Sequence, residues 1–339
     1  MSEFESLFKK IRITLTHSYT SEPIILKIGS TTIATLGNIS ASVGKAKSGK
    51  TFNVLTIVAA LLANSRIMNY SPSLPSNKTN IIYIDTEQSR YHCQKTIKRI
   101  ATLSGLSQEV LENHLFFLSL REYNPIERIN IIDKTLKQIN DVGLLVIDGL
   151  RDLLYDFNCP KESSCLLNKL MTWSSQYMLH IHTVLHINKS DENTRGHLGA
   201  ELNNKSETIL HIKKESNSCV VKPLVTRDQE FSPFSFFIND ESIPTLDINN
   251  NTKKMVSKRG IKFDQISGDQ HRQALDHAFG RETIKGFNEI IAALQKGYSN
   301  IGLKFGRNKI VDLNKYLKVN NLIVSDGKGF KINDNFTLS

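Results

Sequence analysis

No stretch of this sequence approaches ~18 apolar residues, the length at which a helix can cross a bilayer, so nothing in it reads as a membrane span. Its opening, MSEFESLFKKIRITL, lacks the apolar run and small-residue cleavage site of a secretory signal. The expectation is a soluble, cytoplasmic protein. Cysteine is scarce: Cys93, Cys159, Cys165 and Cys219 are scattered, and no second pair stands near Cys159 and Cys165 to complete a zinc site. This usage excludes a disulfide scaffold and fits reduced thiols. There is no internal repeat, and no low-complexity tract beyond one short polar segment. A hydrophobic fraction of 40% with 22% charged residues excludes global disorder.

The length is 339 residues, more than the ~250–300 at which single cores stop growing, so two domains are expected. A formal charge of +10 points to a polyanionic partner, with solubility as the other reading. From residue 251 onward 16 Lys/Arg stand against 8 Asp/Glu, which places +8 of that surplus in the last quarter.

Phe4, Leu7, Phe8 and Ile11 recur at helical spacing within an N-terminal arm, residues 1–20, suited to packing on a neighbouring subunit. Two β-like runs come next, Ile24–Ile28 and Thr31–Leu36, then Ile39–Val43, which ends at Gly44. Helices over Lys50–Asn64, Arg90–Leu103, Gln108–His114, Ile126–Ile139 and Ser164–Tyr177 then alternate with strands over Ile81–Ile84, Leu115–Leu118, Leu144–Ile147 and Ile181–Ile187. Strands this apolar cannot expose either face. The alternation therefore predicts an α/β fold, a mainly parallel sheet between helices, over residues 21–240. Thr208–Ile212, Val220–Val225 and Phe234–Ile238 read as consecutive antiparallel strands that extend it. A polar linker is expected over 241–269 and a second domain over 270–339. That domain reads as helices near His271–Phe279, Lys285–Gln295 and Arg307–Val319, then a hairpin of Leu322–Val324 and Phe330–Ile332, the layout of a winged helix.

Gly44-Lys45-Ala46-Lys47-Ser48-Gly49-Lys50-Thr51 matches G-x-x-x-x-G-K-[ST] in full, succeeds a predicted strand and opens a predicted helix. Glycines let the backbone curl so that successive N–H groups and the helix N-terminus face phosphates. Lys50 would neutralise the β and γ phosphates and the Thr51 hydroxyl would hold Mg²⁺, with Gly44 to Phe52 forming the contacts to ATP. The run Gly143-Leu-Leu-Val-Ile-Asp148 ends a buried strand in a carboxylate, the form expected to supply the second metal contact, the other reading being a helix cap or turn former. In Ile81-Ile-Tyr-Ile-Asp-Thr-Glu87 another apolar strand ends in acids.

The set VGKAKSGKT, YIDTEQ, VIDGLRDLL and LHINKSDENTRGHLGAEL, together with the late basic strand VVKPLVTR, resembles the RecA/DnaB-like hexameric ATPases over Gly44–Ile238. Within that class it is similar to the RepA-type helicases of plasmids and the ATPases of mobilizable elements. The P-loop alone is specific only to the superfamily; the order and spacing of the set narrow it.

The resemblance implies that Glu87 is the base acting on the attacking water, with Asp85 a structural alternative. Gly149 stands where AAA+ proteins carry a second acid, which fits the same branch. His186 takes the position that senses the γ-phosphate, where an ordinary strand-end histidine is the other reading. Lys189 and Arg195, in the polar stretch 190–202 and just before it, correspond to channel loops that grip single-stranded DNA; a plain surface loop is the alternative. Arg227, with Lys222 as companion, matches the arginine finger that reaches a neighbour's nucleotide, or else forms a surface pair on an edge strand. In the tail, Arg307, Asn308 and Lys309 open the helix that would enter a DNA groove, with Lys315, Lys318 and Lys328 nearby, although winged helices also bind proteins.

For the whole chain the resemblance implies an ATP- and Mg²⁺-dependent DNA motor, helicase-like and homo-oligomeric with a hexamer favoured, serving replication or mobilization of a plasmid or mobile element. A winged-helix tail departs from RepA-type helicases. That departure leaves open a DNA-binding ATP switch or a helicase loader that separates no strands.

Overall fold

The structure is a computed structural model and describes residues 3–16, 24–187, 196–247, 263, 266–280, 282–303, 305–327 and 329–333. It divides into two compact units, 1–252 and 253–339. Lys189, Arg195 and Lys328 lie outside the described residues.

In the first unit the arm begins as helix α1 (Glu3–Ile11), with Glu3 and Glu5 in the first turn, where acids suit the helix dipole. Its apolar side is exposed at Phe4, Leu7, Phe8 and Ile11. The runs read as β1 (Ile24–Ile28) and β2 (Thr31–Thr35) do not enter the main sheet; with β4 (Tyr70–Pro72), which the sequence pattern did not suggest, they form a small antiparallel sheet.

The main sheet contains β3 (Ile39–Gly44), β5 (Asn80–Asp85), β6 (Leu115–Ser119), β7 (Val142–Asp148), β8 (His180–His186), β9 (Thr208–Glu215), β10 (Ser218–Thr226), β11 (Phe234–Ile238) and β12 (Pro244–Leu246), in the order β12-β11-β10-β9-β3-β8-β7-β5-β6. From β9 to β6 the strands are parallel; β10, β11 and β12 continue as antiparallel hairpins. Within the stretch expected as linker from residue 241, Pro244–Leu246 forms an edge strand that pairs with β11.

Alternation along the strands splits the core. Ile81, Tyr83, Leu144 and Val146 face the helices α2 (Lys50–Ala63), α3 (Arg90–Ser104) and α4 (Gln108–His114). Ile82, Ile84, Leu145 and Ile147 face α5 (Pro125–Gln138), α6 (Pro160–Gln176) and α7 (Gly196–Lys205). Local chemistry sets the ends: α5 starts at a reciprocal Asn124/Glu127 capping box with Pro125 behind it, and α3 stops at Gly105 in the left-handed region. Part of the stretch expected as a loop, 190–202, is the helix α7. Its Leu198 and Leu202, four apart, bury one face within otherwise polar sequence.

The second unit packs α8 (Gly268–Phe279), α9 (Phe287–Asn300) and α10 (Arg307–Val319) around Leu275, Ile291, Leu294, Leu313 and Leu317. Gly297 lets α9 meet α8 closely, since a Cβ there would come within 2.3 Å of the Ala274 carbonyl. Beyond the expected hairpin of β14 (Ile323–Asp326) and β15 (Gly329–Ile332), a short strand β13 (Ile284–Lys285) pairs with β15, making a three-stranded sheet in the order β13-β15-β14.

Candidate nucleotide site

The parallel strands end in one row: Gly44 of β3 is level with His186 of β8, and Asp148 of β7 with Asp85 of β5. The chain leaves β3 for β5 and later returns to place β8 and β9 on either side of β3, so the crevice at these carboxyl ends lies where the strand order switches. A cavity of about 950 Å³ opens there. Lys50, Thr51, Glu87, Asp148 and His186 all line it.

Gly44 to Thr51 form the floor. Lys47 and Gly49 sit in the left-handed region, with φ of 61° and 94°. A Cβ on Gly49 would also come within 2.6 Å of the Cys219 sulfur, so both conformation and space require glycine there. Ala46 is exposed at the loop tip. α2 opens at Lys50 without a side-chain cap, which leaves its first N–H groups to accept an anion. Among the described residues, the buried Ser48 hydroxyl has no hydrogen-bond partner.

The Lys50 ammonium donates to the carbonyls of Gly44 (2.9 Å) and Lys45 (2.8 Å) and to His186 Nδ1 (3.1 Å). Burial lowers its pKa to about 8, with Asp148 and Glu87 pulling the other way. A charge held on two carbonyls in a low-dielectric crevice is under-compensated, and phosphate oxygens would complete it.

The Thr51 hydroxyl donates to Asp148 Oδ2 at 3.1 Å, and Tyr83 donates to the same oxygen at 2.8 Å. Burial, reinforced by the nearby Asp85 carboxylate, raises the Asp148 pKa to about 6. A hydroxyl and a buried carboxylate side by side fit a hard divalent cation that takes its other oxygens from phosphates and water.

The two acids after β5 have separate duties. Asp85 is buried and accepts from the Glu87 and Gln88 backbone N–H groups (3.0 and 2.7 Å) and from the Gln88 amide (2.7 Å), which builds the turn. Glu87 is thereby projected into the cavity, 52% exposed, with its carboxylate 3.6 Å from His186 Nε2. The His186 ring lowers the Glu87 pKa, with smaller help from Lys50 and Arg151. Because Lys50 donates to Nδ1, the ring proton lies on Nε2, toward Glu87. Lys50, His186 and Glu87 thus form one electrostatic chain.

Gly149 comes after Asp148 for a steric reason. Its φ is +107°, and a Cβ there would fall 2.0 Å from the Thr86 hydroxyl, which donates to Asp152 and ties the ends of β5 and β7 together. No acid can occupy that position.

Several lining residues were not singled out as site residues from the sequence, although Arg151 lies within the VIDGLRDLL motif. Arg151 comes from the short 3-10 turn after β7; Lys214, Asn217 and Ser218 come from the β9–β10 hairpin, and Asp247 stands just past β12. Ser218 donates to Asp247 at 2.6 Å. Only the parallel-plus-hairpin topology brings these distant segments over the P-loop.

Arg227 is elsewhere. β10 runs antiparallel to β9, so its end is level with Thr208 and hence with Ser40, at the amino ends of the parallel strands and opposite the P-loop. There Arg227 donates its backbone N–H to Glu207 (2.9 Å) and a guanidinium N–H to the Lys205 carbonyl (3.4 Å). Arg227 cannot serve its own nucleotide site from that edge.

Beneath α2 the sheet is polar, and its groups satisfy one another. His180 Nδ1 bonds the Thr35 carbonyl (2.8 Å) and Nε2 meets Ser40 (2.7 Å); Ser40 meets His182 Nδ1 (2.7 Å), whose Nε2 meets Ser42 (2.9 Å). The Asn53 amide donates to Ser42 (3.3 Å), and Tyr70 donates to Asn53 (2.6 Å). One assignment satisfies every link: both rings neutral, each with its proton on Nδ1. Burial agrees, holding His180 down to about 4 and His182 to about 3. The same burial raises Glu207, which accepts from the Thr35 N–H and hydroxyl, to about 7.

In the second unit the two basic residues expected to contact DNA are engaged within the protein. Arg307 donates to Asn288 (2.7 Å), and the Lys309 ammonium lies 5.6 Å from the centre of the Phe263 ring. Asn308, Asp312, Lys315 and Val319 form the exposed face of α10, with the Lys315 side chain 74% exposed.

No curated protein matches the chain. No helix among the described residues is long and apolar enough to cross a membrane. Residues 32–192, which begin in β2 and include β8, match a family model described as an AAA domain, and the matched segment carries the P-loop, Glu87, Asp148 and His186.

Proposed function

We propose that this chain is an ATP-driven, ring-forming DNA motor of the RecA/DnaB-like class that acts in replication or mobilization of a plasmid or mobile element. The observation that carries the reading is the split placement of its charged groups. Lys50, Thr51, Asp148, Glu87 and His186 share one cavity, while Arg227 stands at the opposite end of the sheet, out of reach of that cavity, a placement that fits a residue serving a neighbouring subunit's nucleotide.

In this mechanism ATP lies along the P-loop with its phosphates toward Lys50. Thr51 and Asp148 would hold Mg²⁺, which would supply charge neutralisation to the phosphates. Lys50 exchanges its bond to His186 for phosphate oxygens. His186 then loses a partner at Nδ1 and turns between the terminal phosphate and Glu87, so the base answers to the presence of that phosphate. Glu87, kept ionised by His186, takes the proton of the attacking water. Arg227 from the next subunit stabilises the charge that develops on the transferred group. Lys189 and Arg195 would contact single-stranded DNA, and the second unit, read as a winged helix, would engage duplex through the exposed face of α10.

A DNA-binding ATP switch or a helicase loader is the second reading, favoured by that exposed α10 face on a separate unit. ATP hydrolysis by the purified chain, with and without single-stranded DNA, separates the two. The motor predicts stimulation by DNA, lost in Lys50→Ala and reduced ~10²–10³-fold in Glu87→Gln. Slow turnover that is indifferent to DNA would leave the switch or loader.

A further inference from the structure

Three further cations of the same chain line the cavity: Lys47, Lys214 and Arg151. Arg151 alone is also felt by the Glu87 carboxylate, next in influence after His186 and Lys50. It lies three residues beyond Asp148, in the 3-10 turn Leu150–Leu153 that Gly149 makes possible. Its guanidinium carbon sits 4.3 Å from the centre of the Phe157 ring. That ring is a fixed platform: a Cβ on Gly196, the first residue of α7, would come within 2.8 Å of it, and the Leu198 N–H donates to the Phe157 carbonyl (3.2 Å).

An exposed cation on an aromatic face gains only a few-fold in equilibrium terms. A guanidinium hydrogen-bonded to a phosphate oxygen gains about tenfold or more, because both partners are charged and the planar fork matches two oxygens. In the competition between ring and phosphate, the phosphate wins whenever it is within reach of the side chain. We propose that Arg151 is a second, cis-acting ligand of the terminal phosphate, held on the Phe157 ring until a triphosphate enters the cavity. This rests on the nucleotide reading of the site and adds to it the group that tells a triphosphate from a diphosphate within one subunit. It also separates two arginine roles: Arg151 acts on its own subunit's nucleotide and Arg227 on a neighbour's.

The test is calorimetric titration of the full chain with AMP-PNP and with ADP, both with Mg²⁺, for wild type, Lys50→Ala, Arg151→Ala, Arg151→Gln and Arg151→Lys. Arg151→Ala and Arg151→Gln should each weaken AMP-PNP binding about tenfold while ADP stays within about twofold, and Arg151→Lys should recover part of the loss. Equal weakening of both nucleotides, or no change in either, overturns the assignment. Loss of binding in Lys50→Ala confirms that the P-loop is being read. A wild type that binds neither nucleotide would overturn the nucleotide reading and this inference together.

Discussion

His182 and His186 lie on the same strand, four residues apart and on the same face, yet their surroundings give them opposite chemistry. His182 is buried between two serine hydroxyls, neutral, with both ring nitrogens bonded. His186, at the strand tip and 39% exposed, bridges Lys50 and Glu87 across a cavity. The contrast extends over the sheet. At the carboxyl ends of the parallel strands polar groups are left incompletely satisfied and face open space. In the middle the His180–Ser40–His182–Ser42 chain satisfies itself, and at the amino ends Glu207 accepts from Thr35 and from the neighbouring Arg227. Incomplete satisfaction is costly for stability and useful for binding, and here the two conditions are separated along single strands.

The largest effect that could overturn this contrast belongs to Arg227. If the amino edge is functional only in an assembly, Arg227→Ala should lower turnover by ~10³-fold with nucleotide affinity intact, and mixing it with Lys50→Ala should restore part of the activity through mixed interfaces. Turnover within a few-fold of wild type would make Arg227 an ordinary edge residue.

Next in size is the histidine pair itself. His186→Asn should cost ~10²-fold in hydrolysis while the unfolding free energy stays within about 0.5 kcal/mol. His182→Asn keeps a donor for Ser40 but leaves Ser42 without its acceptor, and should cost about 1–3 kcal/mol in denaturant unfolding with turnover per folded molecule little changed. Both variants losing stability alike would erase the distinction.

The smallest effect concerns the protonation of the buried pair His180 and His182. In the unfolded chain a histidine takes up its proton near pH 6.5, whereas His180 and His182 resist until about 4 and about 3. Their contribution to stability is therefore complete above pH 6.5 and is lost as the pH falls toward 4 and 3. Glu207 and Asp148, raised to about 7 and about 6, act with the opposite sign: their contribution is present at low pH and lost as the pH rises. The difference between wild type and His182→Asn isolates the histidine term. The fall in melting temperature from pH 7 to pH 4.5 should be smaller in the variant; an equal fall would mean that His182 is not held neutral.

The strands and helices of the first unit were legible because buried parallel strands are nearly all apolar and the helices carry one apolar face each. β4, β12 and β13 escaped notice because two or three residues make no period, and α7 because only Leu198 and Leu202 mark its buried side. The P-loop was legible for a different reason. Its glycines answer a backbone requirement that holds within nine consecutive residues, as the φ of Gly49 shows. The choice of Glu87 over Asp85 was framed by resemblance, but its physical basis, Asp85 spent on the turn, depends on hydrogen bonds that spacing does not display.

The sequence by itself determined the α/β alternation, the phosphate-binding turn and the strand tips that carry Asp148, Glu87 and His186, because these depend on local conformation and on apolar periodicity. Tertiary structure alone decided which histidine is buried, that Gly149 must leave room for Thr86, that Arg151 and Asp247 reach the cavity, and that Arg227 does not. Those outcomes depend on strand order and register, which bring together residues far apart in the sequence, such as Ser40 and His180. No pattern within a window of the chain encodes which distant neighbour a side chain will meet.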